Sequence, residues 1–359
     1  QRIASNLAEI LCFLDLHAPA ARLEQALYDD RVQRGDSLGA ALAASRLSEL
    51  ALRCGRWAEA ETLVLQCVET AQDGAGDSDC LDELADMARL CAMQGRFEEA
   101  DAWVERCRRG LSRPVEIHRV TTTIAAGLVA HARRDYPSAV TPYRDAAERA
   151  ERLGFTDLRA LPFRVDLVEC LIAVGDTESA GQLADELHQR SAHLTDPRPL
   201  ADAAWARGLV SSAQGDLTKA AAYYATALEH WSHVDVPFSR ARTLLAAGAT
   251  DRRAGQRTVA RARLEDALRV FTDLNAQPWI ARAEDELDRL GARRAEGDEL
   301  TPTEQQVAAL VAKGHTNAEA AVVLFMSPKT VEHHLTRIFR KLNVRTRTQL
   351  SALLGARDI

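Results

Sequence analysis

The chain has 359 residues and a formal net charge of −7 at pH 7, and 47% of its residues are hydrophobic while 27% are charged. This length leaves room for at least two domains, and this balance indicates a folded globular protein rather than a disordered one. No apolar run approaches the length of a membrane-spanning helix and no secretory signal is visible, so we expect a cytoplasmic protein with no membrane partner.

The composition favours helix. Alanine, leucine, arginine and glutamate are common, aromatic residues make up only 5% of the chain, and long β-branched runs are missing. The seven cysteines are an odd number without CxxC spacing, which predicts reduced thiols packed between helices and no metal site. A redox switch or a metal cluster is the alternative interpretation of the cysteines.

A six-residue pattern recurs at intervals of 39 to 41 residues. Its copies begin at Gly55, Gly95, Arg134, Gly175, Gly215 and Gly255, with a weaker copy from Asp15. The glycine permits a tight turn between two antiparallel helices. In the copy Gly215-x4-Ala220-x6-Ala227, both alanines lie on one face of the second helix, where their small side chains let the first helix approach closely.

This pattern resembles the tetratricopeptide repeat, with helices lengthened to give about 40 residues instead of about 34. The chain departs from the pattern at Arg134, which replaces the turn glycine, and at Leu187, which replaces the second alanine of its copy. We therefore predict a tetratricopeptide-like α-solenoid over residues 1–290, whose concave surface senses an unknown ligand or protein. Five aromatic residues are candidates for lining a ligand groove or, alternatively, for packing between repeats: Trp103, Trp205, Tyr223, Tyr224 and Trp231.

Residues 291–298 form a charged, glycine-bearing linker, and residues 299–359 follow a different pattern of short, sharply capped helices. Capping residues predict four helix starts, at Thr301, Thr316, Ser327 and Thr346. A helix, a short helix, a tight turn and a long basic helix follow the order of a helix-turn-helix domain. The predicted fold class is therefore all-α, a solenoid followed by a four-helix DNA-binding domain.

The third of these helices carries most of the positive charge. Between residues 329 and 347 the chain has six Lys or Arg and one acid, although the whole chain is acidic. Val331, Leu335 and Ile338 are spaced for burial on one face. The opposite face then presents seven residues: Lys329, Glu332, His333, Thr336, Arg337, Arg340 and Lys341. An exposed basic helix of this kind fits the major groove of double-stranded DNA.

Residues 299–354 resemble the DNA-binding domain of LuxR-type transcription regulators. The shared residues include Leu300-Thr301-Pro302, Glu304, Gly314, Asn317, Ala321, Leu324, Ser327, Thr330-Val331, His334, Lys341-Leu342, Val344 and Arg347. The resemblance implies that Glu332, His333 and Thr336 face the bases, and Lys329 belongs to the same DNA-binding set. It also implies that phosphates are held by Thr330, Arg337, Arg340 and Lys341. Ala320 stands where the family usually has isoleucine, which is expected to loosen the packing of the second helix.

The resemblance also implies pairing through the fourth helix on inverted-repeat sites. We therefore expect a homodimer on DNA, with dimer contacts from Leu350, Leu353 and Leu354. Closing the core of the domain is the alternative role for these leucines. A regulator of this type is also expected to contact RNA polymerase.

A helical array before a LuxR-type domain resembles the large ATP-binding regulators of that family. The phosphate-binding sequence GxxxxGK[ST] does not occur in this chain, so no cofactor is predicted for it. ATP is expected only through a module that would precede Gln1, and the absence of an initial Met leads us to expect a fragment of a longer protein.

These features predict a nucleoid-associated transcription regulator that is not an enzyme and has no catalytic residues. The alternative is a repeat scaffold for protein or peptide binding in which DNA binding is secondary. A phosphorelay receiver is disfavoured because residues 1–290 show no alternation of strands and helices.

Overall fold

The structure, a computed structural model, describes residues 2–72, 80–111, 116–155, 163–298, 300, 302–324, 326–342, 344 and 346–355. Every regular element in these ranges is an α-helix, which confirms the predicted fold class. The chain divides into two compact units, Gln1–Glu286 and Leu287–Ile359, a few residues before the predicted boundary at residue 290. Among the described helices, none combines the length and the apolarity that spanning a bilayer would require.

The first unit is built from antiparallel helix pairs. The pairs are α1 (Arg2–Phe13) with α2 (His17–Gln33), α3 (Ser37–Arg53) with α4 (Trp57–Gln72), α5 (Leu81–Gln94) with α6 (Phe97–Gly110), α7 (Glu116–Ala132) with α8 (Tyr136–Arg152), α9 (Arg164–Ala173) with α10 (Thr177–Ser191), α11 (Pro197–Ala213) with α12 (Leu217–Trp231) and α13 (Pro237–Arg253) with α14 (Arg257–Asp273). A longer helix, α15 (Gln277–Asp298), follows. The predicted linker, residues 291–298, is the C-terminal part of α15.

The repeat pattern places one tight turn in each pair. All seven predicted turn positions have a left-handed backbone, with φ between 59° and 86°: Asp15, Gly55, Gly95, Arg134, Gly175, Gly215 and Gly255. The alanine five residues after each turn is at most 2% exposed in every copy: Ala20, Ala60, Ala100, Ala139, Ala180, Ala220 and Ala260. These small side chains allow the two helices of each pair to pack closely, as predicted.

The first unit also contains contacts between repeats that are far apart in sequence. Arg198 Nε on α11 donates to Asp15 Oδ1 at 2.7 Å, and Arg282 Nη2 donates to the carbonyl oxygen of His131 at 2.7 Å. The rings of Trp57 and Phe238 lie 5.4 Å apart, edge to face. The solenoid therefore curls tightly enough for its second repeat to touch its seventh.

The second unit contains α16 (Pro302–Ala312), α17 (Asn317–Val323), α18 (Pro328–Lys341) and α19 (Arg347–Gly355). Thr316 and Glu319 form the predicted capping box at the start of α17, while Thr301 lies outside the described residues. All four helices contribute to one core, which includes Val307, Val311, Ala320, Val331, Leu335, Ile338 and Leu350. Ala320 is fully buried, so the departure from isoleucine falls at a core position.

Candidate functional site

Helix α18 has one buried face and one exposed polar face. Val331 and Ile338 are 0% exposed and Leu335 is 5% exposed, because their 4, 3 spacing aligns them toward the core. Four of the predicted DNA contacts lie on the exposed face: Lys329, Thr330, Glu332 and Thr336. For the other predicted contacts on this face, His333, Arg337 and Arg340, only the helical backbone is described, and their side chains lie outside the described part.

Local hydrogen bonds fix the start of this face. The backbone N–H of Thr330 donates to Ser327 Oγ at 3.1 Å, so Ser327 caps α18 as predicted. One turn later, Thr336 Oγ1 donates to the carbonyl oxygen of Glu332 at 3.0 Å. This bond uses the hydroxyl proton of Thr336 and leaves its oxygen free to accept a hydrogen bond from a base.

Lys341 forms an ion pair with a glutamate of the same domain. Its Nζ lies 2.6 Å from Glu304 Oε2 on α16, and the two side chains are only 13% and 3% exposed. The sequence predicts a phosphate contact for Lys341, whereas the structure joins it to Glu304 in an ion pair between two helices. We therefore leave Lys341 out of the proposed phosphate contacts, because this pair occupies its charge.

A second structural link was missed by sequence reasoning. Arg347 Nη1 at the start of α19 donates to the carbonyl oxygen of His315 at 3.2 Å, and its Nη2 contacts Asn317 Oδ1. Arg347 thus ties α19 to the turn before α17. The only signal in the sequence was that both Asn317 and Arg347 match the LuxR pattern.

The fourth helix divides its leucines between core and surface. Leu350 is 0% exposed, so its side chain closes the domain core, which is the alternative role given above for these leucines. Leu353 and Leu354 are half-buried, and Leu354 packs against the same core. Leu353 is therefore the best remaining candidate for a surface contact from α19.

The repeat unit encloses a cavity of about 390 Å³. The first helix of each pair from α3 to α13 contributes to its wall, which includes the apolar side chains of Leu52, Trp57, Leu128, Phe163, Trp205 and Phe238. Two of the aromatic residues singled out from the sequence, Trp205 and Trp231, line it although each is at most 3% exposed. Tyr224 is buried between helices, and Trp103 and Tyr223 are half-buried outside this wall.

Charged side chains also line this cavity. The carboxylates are Glu49, Asp82, Asp86, Asp166 and Asp202, and the guanidinium groups are Arg53, Arg89, Arg198 and Arg242. Burial raises the pKa of Asp86 to about 7 even though Arg89 Nη1 lies 2.8 Å from its Oδ1. Burial likewise raises the pKa of Asp202 to about 7. A carboxylate with such a pKa changes charge near neutral pH.

A three-residue cluster beside the cavity has ligand spacing suited to a metal ion. The ligand atoms of His131, Asp166 and Glu169 lie within 4.8 Å of one another. Arg242, however, lies against both carboxylates, with Nη2 2.7 Å from Glu169 Oε2. Burial opposes ionisation of Glu169, but His131 and Arg242 hold its pKa well below the ordinary value. We interpret this cluster as a buried ion-pair network, because a guanidinium already neutralises its carboxylates.

Comparison with known proteins supports the fold assigned to each of the two units. Residues 298–354 match the luxR family of bacterial regulatory proteins, and residues 199–273 match the tetratricopeptide repeat. A protein named as an HTH-type transcriptional regulator of Mycobacterium bovis is 49% identical over 51 residues, which are 14% of this chain and 6% of that protein. The transcriptional regulatory protein ComA of Bacillus subtilis is 48% identical over 54 residues, 15% of this chain and 25% of ComA. The aligned part thus spans at most a quarter of these curated relatives.

The fold of the array also has a solved counterpart. A Rap protein, crystallised in complex with competence and sporulation factor, aligns over 98% of both chains with a TM-score of 0.59 and 12% sequence identity. At that identity the likeness concerns the fold alone. The C-terminal unit is a LuxR-type helix-turn-helix domain, and the helices before it form a tetratricopeptide-like array.

Proposed function

We propose that this chain regulates transcription by binding double-stranded DNA through α18, and that its repeat unit senses the molecule that controls this activity. The observation that carries the proposal is the exposed polar face of α18 on a LuxR-type domain. Lys329, Thr330, Glu332 and Thr336 share that face, while Val331 and Ile338 anchor the opposite one in the core. A helix held in this way can enter the major groove with its N-terminal half against the base edges.

Each exposed residue has a chemical role in this proposal. Glu332 accepts a hydrogen bond from the N4 amino group of cytosine, and Thr336 accepts one through the oxygen that its own backbone bond leaves available. Lys329 and Thr330 at the helix start meet phosphates and set the position of the helix on the duplex. By the sequence resemblance, His333 joins the base contacts, and Arg337 and Arg340 join the phosphate contacts.

In this proposal, sequence specificity comes from dimerisation of the protein on DNA. One recognition helix reads few base pairs, so a second copy on an adjacent half-site supplies the rest of the affinity. Leu353 on α19 is half-buried rather than fully enclosed, which supports α19 as the dimer surface. RNA polymerase is a further proposed partner of the bound dimer.

The sensing role of the array is supported by its cavity of about 390 Å³, a volume in the usual range of small-ligand sites. The Rap protein of the same fold was crystallised with competence and sporulation factor, and we extend to this chain only the idea that such an array holds a partner. A repeat scaffold for protein or peptide binding, in which DNA binding is secondary, is the weaker alternative, because it gives the capped, exposed α18 only a minor role.

The test is selection of DNA by the full chain from a random pool, followed by fluorescence anisotropy on the selected site and on a scrambled site. We expect an inverted-repeat site bound at least ~10³-fold more tightly than the scrambled one. Thr336→Ala should change which bases are selected while leaving the helical circular dichroism intact. Selection of no sequence, by a folded protein, would contradict the proposal.

A further inference from the structure

One carboxylate in the cavity, that of Asp202, lies near Arg198 and Arg242 but forms no direct ion pair within the described part of the repeat unit. Glu49 pairs with Arg53, Asp86 with Arg89 and Asp166 with Arg242. Asp82 accepts hydrogen bonds from His118 Nδ1 at 3.1 Å and Thr121 Oγ1 at 2.9 Å. Asp202 on α11 is half-buried, and within the described ranges we find no hydrogen bond or ion pair to its carboxylate.

We propose that this cavity binds an organic cation, an ammonium or guanidinium group on an apolar body, with Asp202 as its counter-ion. This proposal specifies the class of ligand for the sensing role proposed above. Binding of the cation does not depend on that role, but its biological meaning does. The chemistry is shared by a free amine and by the N-terminus of a short peptide.

The charges around the cavity select against an anion. Each lining arginine already contacts a carboxylate: Arg53 contacts Glu49, Arg89 contacts Asp86, Arg198 contacts Asp15, and Arg242 contacts Asp166 and Glu169. An anionic ligand would have to compete with one of these pairs, which costs part of the energy that it gains. A cation instead meets Asp202 directly and completes a hydrogen-bonded charge pair.

The apolar wall accounts for the body of the ligand. Trp205 lies one helical turn after Asp202 on α11, and both line the cavity. The guanidinium of Arg242 lies 4.8 Å from the centroid of the Trp205 ring, which holds the indole in place from one side. An apolar group beside the bound cation can therefore pack against a fixed aromatic surface, and burying it there favours binding.

The proposal also predicts how binding depends on pH. The charged groups around Asp202 are Arg198 on the same helix, Asp166 on α9, Asp15 at the α1–α2 turn and Arg242 on α13. Because burial raises the pKa of Asp202 to about 7, this side chain is mostly neutral at pH 6 and mostly ionised at pH 8. Affinity for a cation should therefore rise by about tenfold between these pH values.

The experiment is isothermal titration of the full chain with probes that share an apolar body and differ in charge. Benzyl, indolyl-ethyl and octyl bodies each carry an amine, an alcohol or a carboxylate. We expect at least one amine to bind tenfold or more tightly than its alcohol, and its carboxylate to bind more weakly still. Equal binding of all three charge types, or no binding by any amine, would overturn the proposal.

Two variants test whether Asp202 is the residue that recognises the cation. Asp202→Asn is isosteric and should reduce the preference for amine over alcohol to less than twofold, weaken the pH dependence and leave alcohol binding unchanged. Asp273→Asn changes an exposed aspartate at the end of α14 and should behave as wild type. An amine preference that survived in a folded Asp202→Asn protein would rule out Asp202 as the counter-ion.

Two further measurements are needed. One distinguishes a peptide ligand from a simple amine, and the other distinguishes the cation site from the proposed regulatory function. Dipeptide amides with the same apolar first side chain, with free or acetylated N-termini, show whether a peptide binds more tightly than a simple amine. DNA affinity of each preparation, measured by anisotropy, reports on the proposed regulatory function. Loss of DNA binding with intact amine recognition would contradict only the regulator, and the reverse result would contradict only the cation site.

Discussion

Two lysines of α18 occupy different environments, although the sequence presents them as one basic set. Lys329 is exposed at the start of the helix, whereas Lys341 at its end is paired with a buried glutamate. The helical spacing predicts which residues face away from the core, but it does not predict which charged residue finds a partner on another helix. That partner, Glu304, is 37 positions away in sequence, and pairings of this kind are determined by tertiary packing.

Replacing Lys329 should reduce the affinity for DNA by the same factor whatever the DNA sequence. Lys329→Ala should weaken binding to selected and scrambled DNA alike and reduce the slope of log affinity against log salt by about one, because one phosphate contact is lost. Anisotropy titrations at several salt concentrations measure both effects. Lys219→Ala, which changes an exposed lysine in the array, is the matched control, and an unchanged slope for Lys329→Ala would contradict the docking of α18.

The pair between Lys341 and Glu304 should stabilise the DNA-binding domain rather than contact DNA. Glu304→Gln should destabilise this domain by up to about 3 kcal/mol, because it leaves a mostly buried ammonium without its counter-ion. Hydrogen exchange of peptides from α16 and α18 measures the change. The double variant Glu304→Leu, Lys341→Met should recover most of the loss, and faster exchange in the double variant than in Glu304→Gln would argue against the ion pair as the cause.

At the scale of single elements, the turns and the alanine positions of the array were predictable from the sequence. The period of about 40 residues places a left-handed residue and a small buried side chain in each pair, and both follow from local geometry. The helical continuation of α15 through residues 291–298 was not predictable in the same way, because charge and glycine in that segment are equally compatible with an exposed helix. The cavity could not be located from the sequence either, because its walls come from helices up to about 200 residues apart.

A turn glycine and a helical glycine should respond oppositely to substitution by alanine. Gly215 has φ of +86° with no atom within 4 Å of an added Cβ, so Gly215→Ala should cost about 1 kcal/mol through backbone strain alone. Gly291 lies within α15 and also has open space for a Cβ. Gly291→Ala should therefore stabilise its helix by about 1 kcal/mol. Hydrogen exchange of the two segments shows whether each substitution stabilises or destabilises its segment. A stabilising effect at Gly215 would contradict the assigned turn.

On α19, Leu353 and Leu350 should give separable phenotypes. Leu353→Glu should reduce cooperative binding to a paired site and spare binding to a half-site, because it places a charge on the proposed dimer surface. Leu350→Ala should instead destabilise the domain by about 2–5 kcal/mol, because it removes a fully buried side chain. Binding titrations on both DNAs, with circular dichroism, separate the two. Unchanged cooperativity in folded Leu353→Glu would exclude α19 as the dimer contact.

At the scale of the whole array, the first and sixth repeats share a small charge cluster. His17 Nε2 lies 3.5 Å from Asp15 Oδ1, and Arg198 binds the same oxygen. Burial alone would lower the pKa of His17, but its neighbours Asp15 and Cys54 raise it to about 9. Protonated His17 thus stabilises the folded array.

The stability of the array should therefore fall in alkaline solution. The contribution of His17 is complete below its ordinary pKa of about 6.5 and is lost as the pH rises toward about 9, a change of about 3 kcal/mol. Urea unfolding followed by tryptophan fluorescence at pH 6, 7.5 and 9 measures this decline. His17→Gln should flatten it, whereas His193→Gln, at an exposed position, should leave it in place. An identical decline in His17→Gln would assign the effect to another group.

The contacts between distant repeats have a consequence for how this array can evolve. Most solenoids tolerate the gain or loss of a repeat, because each repeat touches only its neighbours. Here Asp15 meets Arg198 across 183 positions, and an added Cβ on Gly55 would lie only 2.7 Å from Pro237 Cγ. Deleting one internal repeat would bring a different helix opposite each of these residues and would remove several matched contacts at once. Gain or loss of a repeat between these contacting residues should therefore be disfavoured, and variation there should be confined to substitutions within repeats.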